Sequence, residues 1–414
     1  MLVYLSDFTA LLGPFEPAPH VAVAVSGGAD SLALALLADG WARARGGRVT
    51  ALVVDHGLRA ASAGEAEITV RRLGSRGISA RVLTLCGLDH GPGMAARARV
   101  ARHAVLAAAC AEAGIVHLLF GHHAGDQAET VAMRLLGRSG PAGLAGMAAL
   151  RETAGVRMLR PLLAVAPGCL RATVRAAGLD WIEDPSNADR AASRSRLRAL
   201  RADPEGTGLA TRGAVAAARL RGRARAAEEG RTAAVLAERV ALYPEGYAVI
   251  RATSLPAPAL AALLRVIGGS AWAPGRAQLE PIAHALRPAT LGGVRILPAG
   301  RMAPGFWLVV REAAALAGPV AAREGAVWDG RFRLVSSLSE AAGTTVGALG
   351  ADAAGLRRLS ALPAAVLGTL PALRVAGRLF AVPHLRYPDG AMEPSDVVLF
   401  EPPEPAAAGP FVPA

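Results

Sequence analysis

Short apolar runs alternate with helix-length stretches through the first half of the chain. Residues 21–25, 49–54, 78–85 and 115–120 are brief, rich in apolar and β-branched side chains and bounded by polar or glycine residues, which predicts strands. Between them, residues 30–45, 63–76 and 95–113 have helical length and spacing. Alternation of this kind predicts an α/β fold, a parallel sheet with helices on both faces. Ligands of such sheets bind beyond the carboxyl ends of the strands. Three polar segments, 26–31, 55–59 and 121–130, fall at those ends.

The pattern breaks at Ala202-Asp203-Pro204-Glu205-Gly206-Thr207-Gly208, whose proline and glycine content predicts a linker. Residues 213–241 then read as a long arginine-rich helix, and 255–290 as helices interrupted by prolines. Strand-like pieces follow at 332–335, 373–375 and 379–382, and the proline- and alanine-rich tail 401–414 is expected to fray. The expected organisation is a catalytic domain over 1–205, a mainly helical tRNA- or substrate-binding domain over 212–312 and a small α+β tRNA-binding domain over 318–414. A chain of 414 residues is long enough for two or three domains.

Composition narrows the chemistry. Hydrophobic residues make up 52% of the chain, which supports packed cores and excludes global disorder. Cys86, Cys110 and Cys169 are widely spaced and form no CxxC pair, against a disulfide framework or a zinc site. No basic leader precedes an apolar run, and no run reaches membrane-spanning length, so a soluble cytoplasmic protein without a membrane partner is expected. The formal net charge is +12, and all 45 basic residues are arginine. GC-rich codon usage accounts for that as readily as an electrostatic footprint for phosphate, RNA above all, and both readings stand. The missing lysine has a firmer consequence. A Walker-type loop needs a lysine to reach the nucleotide phosphates. Any phosphate site here must use backbone N–H groups, helix N-termini and arginine.

The segment Ser26-Gly27-Gly28-Ala29-Asp30-Ser31 meets that requirement. Gly27 and Gly28 allow positive φ and close backbone approach, and the helix that follows adds its positive end. Ser26 and Ser31 can donate hydroxyl hydrogen bonds, and Asp30 can hold Mg²⁺ or cap the helix. A bare Ser-Gly-Gly would equally serve an ordinary turn; the whole hexapeptide after a β-branched strand favours the anion site. Asp126 and Glu129 stand at helical i, i+3 spacing, suited either to a solvated helix start or to holding a cationic substrate. His122 and His123 are adjacent, so on a strand their side chains would diverge, and orienting hydrogen bonds fit better than shared metal ligation.

Residues 23–31 resemble the signature of the N-type ATP pyrophosphatases, the PP-loop family. Further motifs resemble its tRNA(Ile)-lysidine synthetase branch: Asp55-His56-Gly57-Leu58-Arg59, Ala98-Arg99-Val100-Ala101-Arg102-His103, Gly121-His122-His123-Ala124-Gly125-Asp126-Gln127-Ala128-Glu129-Thr130, Arg134-Leu135-Leu136 and Glu183-Asp184-Pro185-Ser186-Asn187. Their order and spacing cover roughly residues 20–200; beyond 200 the likeness is weak.

The resemblance implies that ATP adenylates O2 of the wobble cytidine in the CAU anticodon of tRNA(Ile). The amine of free lysine then attacks C2, giving lysidine, AMP and pyrophosphate. It implies Ser26, Gly27, Gly28, Ala29, Asp30, Ser31, Asp55, His56, Gly121 and His122 as ATP contacts. Asp30, Arg99, Arg102, Asp126 and Glu129 become the catalytic set, with the arginines dispersing pyrophosphate charge and the acids holding the incoming lysine. Arg194, Arg196 and Arg198 become anticodon contacts, as part of an arginine-dense connector. ATP with Mg²⁺ is the implied cofactor, on the grounds of ATP chemistry rather than a ligand cluster, and a homodimer is left open.

Gly125 departs from the family, which carries two adjacent acids before Gln-Ala-Glu-Thr. His103 stands where the family tends to have tyrosine, Ala192 where it has an aromatic residue, and Ser195 where it has asparagine. Three alternatives keep the fold and change the activity, namely a tRNA thiolase, an amide-forming ligase and an inert RNA-binding protein. The first usually needs paired cysteines and the second a glutaminase domain; no cysteine follows Cys169. The third rests on Gly125.

Overall fold

The computed structural model describes the chain except residues 1, 56, 58–60, 86–90, 92, 154, 184–192, 337–342, 389–392, 408 and 410. The chain divides into two compact units, Met1–Ala227 with Pro410–Ala414, and Glu228–Gly409. In the first, a short helix α1 (Leu5–Ala10) precedes β1 (His20–Val25), α2 (Ala29–Arg43), β2 (Arg48–Asp55), α3 (Ser62–Gly74), β3 (Ser79–Thr84), α4 (Met94–Glu112), β4 (His117–Phe120) and α5 (Ala124–Leu136). Strands β5 (Leu150–Glu152) and β6 (Arg157–Leu159) follow, then α6 (Pro167–Ala176), α7 (Ser193–Arg201) and α8 (Leu209–Arg239), inside which the division falls.

The sheet order is β3-β2-β1-β4-β6-β5, parallel throughout except for β5. Strand side chains alternate between faces, and the two cores divide accordingly. Val21, Val23, Val25, Val49, Ala51 and Val53 pack with the apolar sides of α2, α3 and α6. Ala22, Leu52, Leu83, Leu118 and Phe120 pack with Leu106, Ala109 and Cys110 of α4. Both faces are thus covered, which is why the strands read as nearly continuous apolar runs. β1 pairs with β2 on one side and β4 on the other, so strand order reverses between β1 and β4. The segments leaving those two strands flank the switch point where such sheets bind ligands.

The second unit differs from the expected organisation. A five-stranded antiparallel sheet runs through the stretch expected to be mainly helical, in the order Val240–Tyr243, Tyr247–Ile250, Trp307–Arg311, Val294–Pro298 and Ala289–Leu291. Helices Ala257–Gly268 and Arg276–His284 share a core with it. Strands of three to five residues carry too few alternations to stand out from a sequence. The stretch from 318 onward is not a separate body: Tyr247, Val249, Leu308 and Val310 share a core with Leu349, Val366, Leu370 and Ala372. The tail is docked rather than frayed at its end. Phe411 is buried, the Val412 carbonyl accepts from Ala149 N at 2.8 Å, and the Arg225 guanidinium lies 4.6 Å from the Phe411 ring centre. Among the described residues no helix is long and apolar enough to cross a membrane.

Candidate active site

The segment between β1 and α2 forms a tight loop. Gly27 has φ +83°, and a Cβ there would lie 2.6 Å from Thr69 Oγ1 and 3.0 Å from Ile182 Cδ1. Only glycine fits both the backbone and the space. The Gly27 carbonyl accepts from Ile182 N at 2.9 Å. Ser31 Oγ accepts from Ser26 N at 3.1 Å, donates to the Gly28 carbonyl at 3.0 Å, and lies 3.3 Å from Ser26 Oγ. Among the described residues no side chain caps α2, whose N-cap is Gly28. The N–H groups of its first turn, with buried Ala29 among them, are left for an anion. Gly121 follows β4, and a Cβ on it would sit 3.1 Å from Ser31 Cα and 3.2 Å from the Asp30 carbonyl oxygen. Glycine is what lets the two strand ends meet there.

α5 brings carboxylates to the same place. His123 is its N-cap: Nδ1 accepts from Gly125 N at 3.0 Å, and Asp126 accepts from His123 N at 3.1 Å, a reciprocal capping box. Because Nδ1 accepts, the imidazole proton sits on Nε2. That atom lies 3.5 Å from Asp30 Oδ2 and 3.6 Å from Asp126 Oδ2. Burial alone would raise the Asp126 carboxyl, but His123, His122 and the His123 N–H hold it below its ordinary range. Asp30 Oδ1 is buried without a partner among the described residues. Glu129, 1% exposed, is gripped by Arg198 at 3.0 and 3.4 Å and by Arg201 at 3.5 Å. Arg201 also donates to the Gly125 carbonyl at 3.0 Å. A Cβ on Gly125 would meet the His123 ring at 2.8 Å and Arg201 Nη2 at 3.2 Å. The family's missing acid is therefore matched by a guanidinium packed into its space.

His122 turns to a different, cationic neighbourhood. Its ring centre lies 6.0 Å from that of Phe120, His103 stacks on Phe120 at 5.1 Å, and Arg160 approaches the same ring at 5.9 Å. Burial, partly opposed by Asp126 and reinforced by Arg160, Arg99 and Arg102, pushes the His122 imidazole down to about 3. Burial and the same arginines push His103 down to about 4. Both are neutral in the native state near pH 7. Their ordinary value is about 6.5, so below it the unfolded chain binds protons that the native state refuses. Stability is thus expected to fall as pH drops from 6.5 towards 4. The loss is roughly 3 kcal/mol, nearly all of it from the His122 imidazole, since the half-exposed His103 is discounted for solvent screening. Urea unfolding at stepped pH checks this; substituting both His103 and His122 by glutamine should flatten the profile in that window.

The remaining expected residues divide. Asp55 ends β2, where its carboxylate accepts from Gly57 N at 3.0 Å and from the Ser62 hydroxyl, so it shapes the turn before α3. His56 lies outside the described residues, as do 184–187 of the Glu183 motif. Arg99 is exposed and Arg102 half-buried, both on α4. On α7, Arg194 is half-buried beside Arg99, Arg196 is exposed, and Arg198 is engaged with Glu129. Sequence reasoning missed the Asp30 contact of His123, the role of Arg201 and the presence of Arg160. The position of Arg160 directly after a strand end was the available signal.

A glycine loop suited to an anion at a switch point, with acids entering from the next strand end, defines a PP-loop protein. Residues 4–201 match the family model described as PP-loop domain. Proteins named tRNA(Ile)-lysidine synthase resemble the chain at two scales. That of Bradyrhizobium sp. is 44% identical over 46% of this chain and 54% of its own, and that of Mesorhizobium japonicum 35% identical over 88% and 82%. The chain belongs to the tRNA(Ile)-lysidine synthase family. It spans about half the length of the first curated relatives it matches. Among solved structures, the U34-tRNA thiolase NcsA of Methanococcus maripaludis is similar with a TM-score of 0.45 at 19% identity, over 53% of this chain and 77% of that one.

Proposed function

We propose that this protein uses ATP to join free lysine to C2 of the wobble cytidine in tRNA(Ile) with a CAU anticodon. One observation carries the reading: Asp126 and Asp30 converge on His123, so an acid pair suited to a cationic amine adjoins the loop suited to pyrophosphate. Backbone N–H groups at the start of α2 and the hydroxyls of Ser26 and Ser31 bind the departing phosphates, with Arg99 and Arg102 dispersing their charge. His123, with its proton on Nε2, keeps Asp30 and Asp126 in register. Asp126 orients the lysine ammonium, while Glu129, buried and paired with Arg198 and Arg201, anchors α7 against α5 beside it. Arg194 and Arg196 meet the anticodon phosphates together with α7.

The donor set fits Mg²⁺: Asp30 offers an unpartnered buried oxygen, and Asp126 a carboxylate held ionised. Bound there, the ion would neutralise charge on the leaving phosphates. Thiolation has less support, because burial pushes the Cys110 thiol up to about 11.

The test is incorporation of radiolabelled lysine into a CAU-anticodon tRNA(Ile) transcript with ATP. Label in the RNA, dependent on ATP and absent with a changed anticodon, is expected. ATP-dependent pyrophosphate release on another substrate without lysine incorporation would overturn the reading.

A further inference from the structure

Arg160 directly follows β6, at the carboxyl end of a parallel strand, and is only 8% exposed. It makes no ion pair with a carboxylate among the described residues. Its Nη1 donates to the Ala148 carbonyl at 3.1 Å, and its Nε is buried with no hydrogen-bond partner. Such a cation is costly to bury unless something else satisfies it. Arg102 Nε and His122 Nδ1 are also buried and unpartnered among the described residues, and the charges of both arginines act on His122. His122 and Arg160 are grouped by the Phe120 ring, at 6.0 and 5.9 Å from its centre. Orphaned nitrogens in one arginine-rich neighbourhood, none of them hydrogen-bonded to a carboxylate among the described residues, describe a site whose missing member is an anion.

We propose that Arg160, with Arg102 and His122, forms an oxyanion subsite. It takes either the carboxylate of the amino-acid substrate or a phosphoryl group released from the nucleotide. Arg160 acts here as a binding residue that the family motifs did not single out. The subsite lies beside His122, the strand-end neighbour of His123, so a zwitterion could place its ammonium at Asp126 and its carboxylate at Arg160. The proposal rests on the reading of the protein as a lysine-joining enzyme only for the first source.

The variant Arg160→Met keeps the bulk against Phe120 and removes the charge. Lysine, cadaverine (lysine without its carboxylate) and inorganic pyrophosphate are titrated directly into wild type and variant by calorimetry, so the result does not depend on turnover. Weakening of lysine by about tenfold, with cadaverine unchanged, supports the carboxylate source. Weakening of pyrophosphate by a similar factor, with lysine unchanged, supports the phosphoryl source. Removing an unpaired buried cation should leave the melting temperature unchanged or raised, and Arg160→Lys should keep part of the binding. Unchanged affinities for lysine and pyrophosphate would overturn the proposal. So would a melting temperature lowered by more than about 5 °C, which would make Arg160 a structural donor to Ala148. Absence of lysine transfer to tRNA in wild type would sink the proposed function, yet the pyrophosphate titration would still decide the subsite.

Discussion

Replacing Asp30 with alanine is expected to lower ATP-dependent pyrophosphate release by about 10³-fold while leaving the fold intact. Asp30 stands in the first turn of α2, and one carboxylate oxygen faces His123 while the other has no partner among the described residues. That oxygen would be a ligand to Mg²⁺ in the proposed reaction, and removing the carboxylate takes a preorganised charge from beside the phosphate loop. Stability should change little, because the side chain is about one-third exposed. Alanine also gains helix propensity while losing a favourable dipole contact of about 0.3–1 kcal/mol. Release assays paired with circular dichroism make the check. Turnover within a factor of about ten of wild type would mean that the reacting phosphates do not depend on Asp30.

The largest effect on stability is expected in the second unit, from Asp329→Asn. Asp329 and Arg331 are almost wholly buried, 2.7 Å apart, and Arg311 reaches the same carboxylate at 3.0 Å. Asp329 also accepts from Ala317 N at 2.9 Å and adopts φ +53°, a conformation asparagine tolerates. The substitution therefore preserves shape and backbone, deletes the charge that compensates two guanidinium groups and turns one acceptor oxygen into an amide donor facing N–H groups. Breaking one side of a buried pair costs about 3–5 kcal/mol, because the other charge is left unanswered. Urea unfolding followed by circular dichroism should show that loss in the transition of this unit. Adding Arg331→Met should restore part of it, since the two residues act as one group. A loss below about 1 kcal/mol would place the triad among weak, solvent-screened pairs.

Much of the candidate site was legible because its signals are local. Gly27 needs positive φ, Ser31 closes its own loop, and Asp126 reaches back three residues to cap its helix, so each is written within a few positions. Arg160 and Arg201 are different. An arginine in an arginine-rich chain carries no local mark of being buried, and what distinguishes these two is which strand end or carboxylate lies opposite. Gly125 illustrates the same limit. As a sequence departure it reads as a lost acid, whereas in three dimensions its lack of a side chain makes room for Arg201 and the His123 ring.

The loop at Ser26–Ser31 and the alternating strands and helices around it were determined by the sequence itself. Glycine torsions, apolar periodicity and the absence of lysine act through nearest neighbours or through composition alone. Only the tertiary structure decided that α5 sets Asp126 against Asp30 through His123, that Glu129 is tied to α7, and that residues 228–409 share continuous cores. Those outcomes depend on contacts between residues far apart in the chain. Their energies come from burial and charge compensation across elements, which no single segment carries.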